Sequence, residues 1–332
     1  MLLLKERAKV IIAEGRLVDG RGLTLLQPGP DDAERLRDVI VAAFGNRPNV
    51  DPPPPALSET TASVAAALAR GFGVLALVEG AAAGALIVTH EGPHAWITRV
   101  SVRPEHQRLG IAATMVEVAL ELLAERGAST ADLIAREEFP QVVAWWRRHG
   151  FVLVDREGTS LHLARAVPVR IEAPTAAAMH ALGKAFAAVV RAGDLLIATG
   201  NLGAGKTTLA QGLGAGMRVQ GAIISPTFVL ARIHPALQDG PGLVHVDAYR
   251  LSSFAEVEDL DLELSLDDSV TLVEWGAGIA EGLSEDRLEI DIRRGLDPED
   301  ESRLVFLTPI GRRWELARPE LEVLARAVEE DS

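Results

Sequence analysis

Short apolar runs alternate with amphipathic stretches along this chain, a pattern typical of proteins that combine strands and helices. In the first half, continuous or alternating apolar runs predict strands at 74–78, 85–89, 96–102, 131–134, 151–154 and 160–167. Apolar positions three and four residues apart predict helices at 31–43, 58–69, 111–126 and 140–149. The first half therefore belongs to the mixed α/β class.

The second half repeats this alternation after a short break at Val167-Pro168. Strands are predicted at 169–171 and 195–199, with peripheral antiparallel strands at 287–293 and 303–308, and helices at 176–192 and 319–328. We expect a domain over 23–167, a second over 168–317, and a helix with an acidic tail over 318–332. Residues 1–22 stay unassigned, because an extra helix and an added strand both fit them.

Composition and charge narrow the function classes. The 332 residues include no cysteine, which excludes disulfides, thiolate metal sites and a cysteine nucleophile. No apolar run approaches the roughly 20 residues that cross a bilayer, so we expect no membrane span and a cytoplasmic protein. Residues 1–165 contain 18 Lys+Arg and 20 Asp+Glu, which gives a net charge of −2. The remaining residues contain 15 Lys+Arg and 27 Asp+Glu, which gives a net charge of −12. The acidic second half favours a basic protein partner over direct nucleic-acid contact.

A phosphate-binding loop is predicted where the apolar strand 195–199 ends. Residues 200–208 read Gly-Asn-Leu-Gly-Ala-Gly-Lys-Thr-Thr and precede a helix-forming stretch. In such a loop, backbone N–H groups surround a nucleotide's phosphates, the lysine adds a positive charge, and the hydroxyl of Thr207 can ligate Mg²⁺. The expected nucleotide-binding residues here are Gly200, Leu202, Gly203, Ala204, Gly205, Lys206, Thr207 and Thr208. A glycine-rich turn with an unrelated lysine is the structural alternative.

Two acidic residues follow later apolar strands. Asp247 ends the run His245-Val246-Asp247, and Glu274 ends Thr271-Leu272-Val273-Glu274. Magnesium needs only one or two carboxylates beside a phosphate loop, so these strand ends fit a phosphoryl-transfer site. Each acid also has a structural interpretation, since Asp247 can cap a helix and Glu274 can face solvent.

These motifs together resemble the TsaE family, over about residues 169–316. The resemblance rests on the phosphate loop, on Ser225-Pro226-Thr227-Phe228, on residues 247–251 (Asp-Ala-Tyr-Arg-Leu) and on Glu274-Trp275. It implies an ATPase that works with the TsaB and TsaD proteins to install threonylcarbamoyl on the adenosine beside the tRNA anticodon, so that tRNA is reached indirectly. It also implies a role for each of the following residues: Lys206, Asp247 and Glu274 in catalysis, Thr207 and Glu274 as Mg²⁺ ligands, Thr227 in a switch-like segment, Trp275 near the nucleotide and Thr175 near the base.

Two other functions remain open. A small-molecule kinase is the alternative for this half and would need a lid with clustered arginines and an acceptor pocket. A nucleotide-gated scaffold is the alternative for the whole chain: the ATP state would control partner docking, and the first half would be a ligand-binding module. The acidic stretch 256–268 fits a partner-facing surface and equally an ordinary solvated face.

The first half carries a second candidate anion site between a strand and a helix. Gln107-Arg108-Leu109-Gly110-Ile111-Ala112 would place backbone N–H groups at a helix N-terminus. Together with residues 145–151 (Trp-Trp-Arg-Arg-His-Gly-Phe), it makes residues 23–167 resemble the GNAT acetyltransferases. The resemblance implies that acetyl-CoA is bound by Gln107, Arg108, Gly110 and Ala112 at its pyrophosphate and by the main chain of Val100 and Val102 at its pantetheine arm. The acceptor would be an unidentified amine or peptide.

This half departs from the family at Trp146, where many members carry a tyrosine that protonates the leaving thiolate. An indole N–H is no useful acid, so the domain is either an acetyltransferase that uses water or a binding module without turnover. Glu91, His94 and His106 are possible bases. The overall expectation is an α/β protein, with a GNAT-type mixed domain followed by a P-loop NTPase domain whose sheet is mainly parallel.

Overall fold

The computed structural model describes residues 10–226, 230–251, 253–258, 267–295 and 301–330. The chain forms two compact units, Met1–Val167 and Pro168–Ser332. Each unit has its own sheet and its own apolar core. No helix in these ranges combines the length and the apolar character that crossing a bilayer requires.

The first unit contains an eight-stranded sheet in the order β1-β2-β3-β4-β5-β6-β8-β7. Its strands are β1 Val10–Arg16, β2 Gly22–Gln27, β3 Gly71–Val78, β4 Ala81–Glu91, β5 His94–Val102, β6 Thr130–Arg136, β7 Val152–Glu157 and β8 Ser160–Ala166. Neighbouring strands are antiparallel except for β5 and β6. Within the unassigned segment 1–22, the β-branched run at Val10–Arg16 forms an added strand paired with β2. Residues 1–9 lie outside the described ranges.

Helices cover both faces of this sheet. They are α1 Ala33–Gly45, α2 Thr61–Arg70, α3 Ile111–Glu125 and α4 Pro140–Arg148. Thr60 caps the start of α2: its hydroxyl accepts a hydrogen bond from the Ser63 N–H at 3.1 Å. Buried residues of α1 and α2 pack against one face of the sheet, and those of α3 and α4 pack against the other. Successive side chains of a strand point to opposite faces of the sheet and so pack in different cores. In β4, Leu86 packs in the core that contains α3 and Ile87 in the core that contains α1.

A gap opens between β5 and β6. The two parallel strands pair only from His94–Thr130 to Trp96–Asp132, although β5 continues to Val102 and β6 to Arg136. The β4–β5 pairing also shifts register between Ala85 and Ile87, and Arg99 at this irregularity has φ +57°. Beyond Trp96, the β6-facing side of β5 is therefore left without a paired strand.

The second unit contains a seven-stranded sheet in the order β11-β12-β13-β10-β14-β15-β9. Its strands are β9 Val169–Ala173, β10 Leu195–Thr199, β11 Ala231–His234, β12 Gly242–Asp247, β13 Ser269–Glu274, β14 Arg287–Arg294 and β15 Arg303–Ile310. The four central strands β12, β13, β10 and β14 are parallel, and antiparallel strands flank them on both sides. The prediction of a peripheral antiparallel strand is wrong for β14, which pairs in parallel with β10, because a strand's partners depend on topology that its own residues do not encode.

The helices of this unit are α5 Ala176–Phe186, α6 Lys206–Met217, α7 Phe254–Glu258 and α8 Arg312–Glu330. The helix predicted at 176–192 ends earlier because the chain tightens into i→i−3 hydrogen bonds, including Val189 N–H to Phe186 C=O at 2.9 Å. The C-terminal helix begins at Arg312 and not at Pro319, which lies within it. Buried Trp314 and Leu321 anchor both sides of the proline. The expected boundary at 317/318 thus falls inside α8.

Candidate functional site

The segment between β10 and α6 forms a tight glycine-rich loop. Gly200 has φ +141°, and a Cβ atom there would lie 2.3 Å from the carbonyl oxygen of Ile292. Gly205 has φ +111° and immediately precedes the first residue of α6, with no side-chain cap. The loop thus brings its backbone against the neighbouring strand β14 and leaves the first N–H groups of α6 available to an anion. Leu202 is exposed at the outer side of the loop.

Lys206 folds back over this loop. Its Nζ donates to the carbonyl oxygens of Gly200 at 2.7 Å and Asn201 at 3.1 Å, and lies 3.8 Å from the centre of the Trp275 ring. Burial lowers the pKa of the Lys206 ammonium below its ordinary value, and the Glu274 and Asp247 carboxylates oppose that shift. The ammonium thus lies among the phosphate loop, the indole and two carboxylates.

Glu274 is held between two elements. The Thr207 hydroxyl donates to its carboxylate oxygens at 3.1 and 3.3 Å, and His245 Nε2 lies 2.9 Å from Oε1 in a hydrogen bond that the carboxylate accepts. The side chains of His245 and Glu274 are 0% and 3% exposed. The solvent-facing alternative for Glu274 is therefore wrong.

Asp247 lies on the adjacent strand, paired in register with Glu274. Its Oδ2 accepts the Ser225 hydroxyl at 2.9 Å, and its Oδ1 accepts the Tyr249 N–H at 3.1 Å. The carboxylate thus stabilises a turn after β12 and not the start of a helix. Because both strands are parallel, the two acids lie at the same edge of the sheet as the phosphate loop.

Trp275 follows Glu274 in an uncommon left-handed conformation with φ +62°. Its backbone N–H donates to the Ala198 carbonyl at 2.9 Å, and its ring meets Tyr249 edge-to-face at 5.3 Å. The tryptophan is thereby fixed beside both Lys206 and the end of β10.

A small pocket lies beside the phosphate loop. Its lining residues are Ala176, Met179, Gly203, Ala204, Gly205, Thr208, Glu301 and Arg303. The Thr175 hydroxyl caps α5 by accepting the Ala178 N–H at 3.1 Å, so its neighbour Ala176 and not Thr175 itself lines the pocket. Arg303 donates from Nε to the Ala204 carbonyl at 3.1 Å and so fixes the loop.

Sequence reasoning missed His245 and Arg303. His245 lies two residues before Asp247, and side chains at that spacing point to the same face of a strand, so the pattern His-Val-Asp carried a usable signal. Arg303 lies about a hundred residues after the loop that it contacts, and nothing local marks it. Thr227 of the predicted switch-like segment, and most of the acidic stretch 256–268, lie outside the described residues.

These residues fit a magnesium-bound nucleoside triphosphate. The left-handed glycines, the uncapped start of α6 and Lys206 suit the phosphates. One hydroxyl and one carboxylate already meet at Thr207 and Glu274, and both are oxygen donors of the kind that Mg²⁺ prefers.

The second unit is similar in sequence to known proteins. A family model described as threonylcarbamoyl adenosine biosynthesis protein TsaE matches residues 173–303. The tRNA threonylcarbamoyladenosine biosynthesis protein TsaE of Streptomyces coelicolor is 57% identical over 149 residues, which cover 44% of this chain and 99% of that protein. The chain belongs to the TsaE family. A crystal structure of Bacillus subtilis YdiB is 30% identical, with 48% of this chain and 95% of that one covered and a TM-score of 0.38.

Beside the TsaE unit, the first unit has matches of its own. The model of the acetyltransferase (GNAT) family matches residues 39–151. Among solved structures, the PaiA N-acetyltransferase of Thermoplasma acidophilum in complex with coenzyme A is 13% identical, covering 43% of this chain and 98% of that one, with a TM-score of 0.40. The family matches confirm the two predicted resemblances, the α/β class and the expectation of an enzyme that joins a P-loop NTPase to an acetyltransferase-type domain.

The anion site predicted in the GNAT-like unit lies at the start of α3. Arg108 and Gly110 have φ +64° and +84°, and Gly110 precedes the helix without a side-chain cap. Ala112 occupies the second position of α3. This turn leaves the first N–H groups of the helix available to a phosphate group, and Arg108 is exposed beside them.

The gap between β5 and β6 adjoins that turn and suits an extended arm. Val100 and Val102 lie in the part of β5 that has no partner on the β6 side. The Val102 carbonyl accepts the Gln107 side-chain amide at 3.2 Å, so Gln107 braces the turn from β5. The donor set of this region, backbone N–H groups and one arginine, fits the pyrophosphate of acetyl-CoA.

The possible bases of this unit lie in different surroundings. His106 Nδ1 is 3.2 Å from an Arg21 guanidinium nitrogen, and exposed Glu91 lies opposite His94 in the β4–β5 hairpin. Trp146 is buried and meets Phe151 edge-to-face at 4.9 Å, so it belongs to the core.

Proposed function

We propose that the TsaE unit hydrolyses Mg²⁺-ATP for the threonylcarbamoylation of the adenosine beside the tRNA anticodon, with the TsaB and TsaD proteins as partners. Family membership supports the pathway. The acidic character of this half, with 27 Asp+Glu and 15 Lys+Arg, supports contact with basic partner surfaces and indirect access to tRNA. The cytoplasm is the proposed location because the tRNA pool is there.

One observation supports the proposed Mg²⁺-dependent hydrolysis most directly. Glu274 is fixed between the Thr207 hydroxyl and the His245 imidazole, directly beside the phosphate loop. A buried carboxylate with two defined partners keeps one geometry, which a metal ligand requires. The same edge of the sheet also carries Asp247.

Each residue has a distinct role in this proposal. The loop N–H groups and Lys206 bind the phosphates and orient them, and Lys206 exchanges its bonds to the Gly200 and Asn201 carbonyls for phosphate oxygens. Thr207 and Glu274 hold Mg²⁺, which when bound neutralises charge that develops on the transferred phosphoryl group. Asp247 accepts a hydrogen bond from the attacking water and so aligns it.

Substitution of Glu274 tests the proposal. We expect Glu274→Gln to lower ATP hydrolysis by at least about 100-fold, because a lost metal ligand weakens charge stabilisation in the transition state. Asp291→Asn, which alters an exposed ion pair of the same unit, is the matched control. Hydrolysis by the wild-type chain is expected to be slow alone and to rise when TsaB and TsaD are added. Full activity of the isolated chain contradicts the partner requirement.

The alternatives give different results in the same experiment. If the chain is a scaffold, its Glu274→Gln variant still supports tRNA modification in cells, provided that the variant still binds ATP. A small-molecule kinase turns over ATP only when an acceptor other than water is supplied. The geometry favours hydrolysis because the two acids lie together beside the phosphate loop.

For the first unit, the proposed activity is acetyl transfer from acetyl-CoA to an amine. The uncapped turn at Gly110 beside the β5–β6 gap favours it. The test is incubation of the full chain with labelled acetyl-CoA and a library of amines and peptides. Measurable acetyl-CoA binding without transfer to any acceptor would identify the unit as a binding module.

A further inference from the structure

A histidine–aspartate pair lies on the sheet of the first unit where β5 and β6 separate. His162 Nε2 is 2.7 Å from Asp132 Oδ1, in a hydrogen bond that the carboxylate accepts. The Asp132 side chain is 7% exposed and the His162 side chain 26% exposed. The His162 ring also stacks on Trp96, with the ring centres 5.1 Å apart and an interplanar angle of 21°. The imidazole is thus held in one orientation at the surface.

The pair lies on the face opposite α3. Residues of β5, β6 and β8 that alternate with the pair, such as Ile97, Leu133 and Leu163, are buried in the core that contains α3. Side chains of neighbouring strand positions point to opposite faces, so Asp132 and His162 face away from α3 and from the turn at Gly110. On this face, the core that contains α1 and α2 takes its strand residues from β2, β3 and β4, whereas Trp96 of β5 and Ile134 of β6 are exposed. A ligand arm in the gap would therefore be held from the α3 face and be open to an acceptor on the other.

The register places His162 at the opening of the gap. The last β5–β6 pair is Trp96 with Asp132, and His162 pairs with Ile134, two residues further along β6. His94 is less suitable, because it precedes this last pair and its Nδ1 is 3.6 Å from Asp132 Oδ2. His106 has one ring nitrogen beside the Arg21 guanidinium. In the described part of the chain, His162 has no hydrogen bond at Nδ1.

We infer that His162 is the general base for acetyl transfer and that the acceptor is a primary amine carried on an apolar group. This inference rests on the acetyl transfer proposed for this unit. Asp132 is a positioning residue, since it holds Nε2–H and leaves Nδ1 to accept a proton. Trp96 and Ile134, 38% and 54% exposed, flank the imidazole and form an apolar surface for the body of the amine.

Acetyl transfer to an ammonium group removes two protons from its nitrogen. His162 Nδ1 takes one proton from the ammonium group, and the neutral nitrogen attacks the thioester carbonyl carbon. The carbon–nitrogen bond forms while the carbon–sulfur bond breaks, and its electron pair leaves with sulfur. The second proton lost by nitrogen passes through water to the thiolate, and the imidazolium returns its proton to solvent. This route needs no tyrosine at position 146, since water delivers the proton to sulfur.

The test measures CoA release by the full chain with 2-phenylethylamine, and with ethanolamine as the polar comparison. We expect His162→Gln to lower kcat about 100-fold or more, with acetyl-CoA affinity by calorimetry within about twofold of wild type. The control is His149→Gln; the His149 ring likewise stacks on a tryptophan, Trp145, but this residue follows α4 directly. Added imidazole is expected to restore part of the activity of His162→Ala, and Asp132→Asn in the same chain is expected to abolish that rescue.

Each negative result contradicts a different part of the inference. A wild-type chain that binds acetyl-CoA but acetylates neither these amines nor any member of the library overturns acetyl transfer and this inference together. Transfer to a library member but to neither amine overturns only the apolar acceptor class. An active wild type with an equally active His162→Gln overturns only the role of His162. Rescue by imidazole that persists without Asp132 overturns the positioning role. An equal kcat/KM for ethanolamine overturns the apolar acceptor class.

Discussion

His245 and Glu274 form a fully enclosed hydrogen bond, with Nε2 and Oε1 2.9 Å apart, between neighbouring parallel strands. The bond fixes one carboxylate oxygen, and the Thr207 hydroxyl reaches the same carboxylate from α6. The histidine therefore acts on the candidate metal site without occupying a ligand position. Groups that orient metal ligands commonly change metal affinity by 10- to 100-fold when they are replaced.

Replacement of His245 tests this relationship. We expect His245→Leu to raise the Mg²⁺ concentration needed for half-maximal ATP binding by about tenfold, because Glu274 loses the partner that orients it. His245→Gln, which keeps a side-chain donor, should recover part of the difference. The control is His234→Leu, another buried histidine, which bonds the Gln220 carbonyl. An unchanged Mg²⁺ requirement in His245→Leu contradicts the role.

Lys206 is expected to dominate phosphate affinity. Lys206→Ala removes a charge-assisted hydrogen bond of about 1.5–3 kcal/mol, which corresponds to a roughly 10- to 150-fold weaker ATP affinity in calorimetry. Lys184→Ala on α5 removes an exposed lysine of the same unit and should leave the affinity unchanged. Equal affinities for both variants would exclude the loop as the phosphate site.

Gly200 is expected to tolerate no side chain. In Gly200→Ala, both the left-handed backbone and the close Ile292 carbonyl oppose the methyl group, at a combined cost of about 3 kcal/mol in the free energy of unfolding. Gly240→Ala separates the two causes, since Gly240 has φ +149° and no atom within 4 Å of the added Cβ. That variant should cost about 1 kcal/mol in chemical denaturation. Equal losses would show that the contact with Ile292 has no effect.

Gly110 and Gly127 offer the same comparison at the two ends of α3. Both have a positive φ and open space around an added Cβ, so alanine at either should destabilise the unit by about 1 kcal/mol. Only Gly110→Ala is expected to weaken acetyl-CoA binding, because it alters the turn that presents the N–H groups. Calorimetry with acetyl-CoA distinguishes the variants. A similar loss of acetyl-CoA affinity in Gly127→Ala would contradict binding at this turn.

The ion pair between Arg313 and Asp194 should be important for the stability of the TsaE unit. Arg313 donates two hydrogen bonds to the Asp194 carboxylate, at 3.0 and 2.8 Å, and both side chains are largely buried. Arg313→Met leaves that carboxylate with the Arg191 N–H as a donor but without its positively charged partner. The variant should lower the free energy of unfolding by about 3–5 kcal/mol. Arg293→Met breaks an exposed pair with Asp291 and should cost at most about 1 kcal/mol. Similar denaturation midpoints for the two variants would contradict this difference.

The sequence determined the elements whose signals are local. The glycine-rich loop lies between β10 and α6 as predicted, since the apolar run, the glycines and the helix start are contiguous in the chain. The strand ends that carry Asp247 and Glu274 were likewise readable, because each apolar run stops at an acid. The two family resemblances rest on such contiguous motifs.

The tertiary structure decided which distant residues meet. The bond between His245 and Glu274, the contact of Arg303 with the loop and the pair of His162 with Asp132 all depend on strand register, which a period-two pattern leaves open. The added strand β1 and the parallel partner of β14 depend on the same non-local pairing. The sequence by itself thus determined the local elements that carry the candidate sites. Only the folded sheets determined the partners of their side chains, because hydrogen bonds between strands join residues that no local pattern connects.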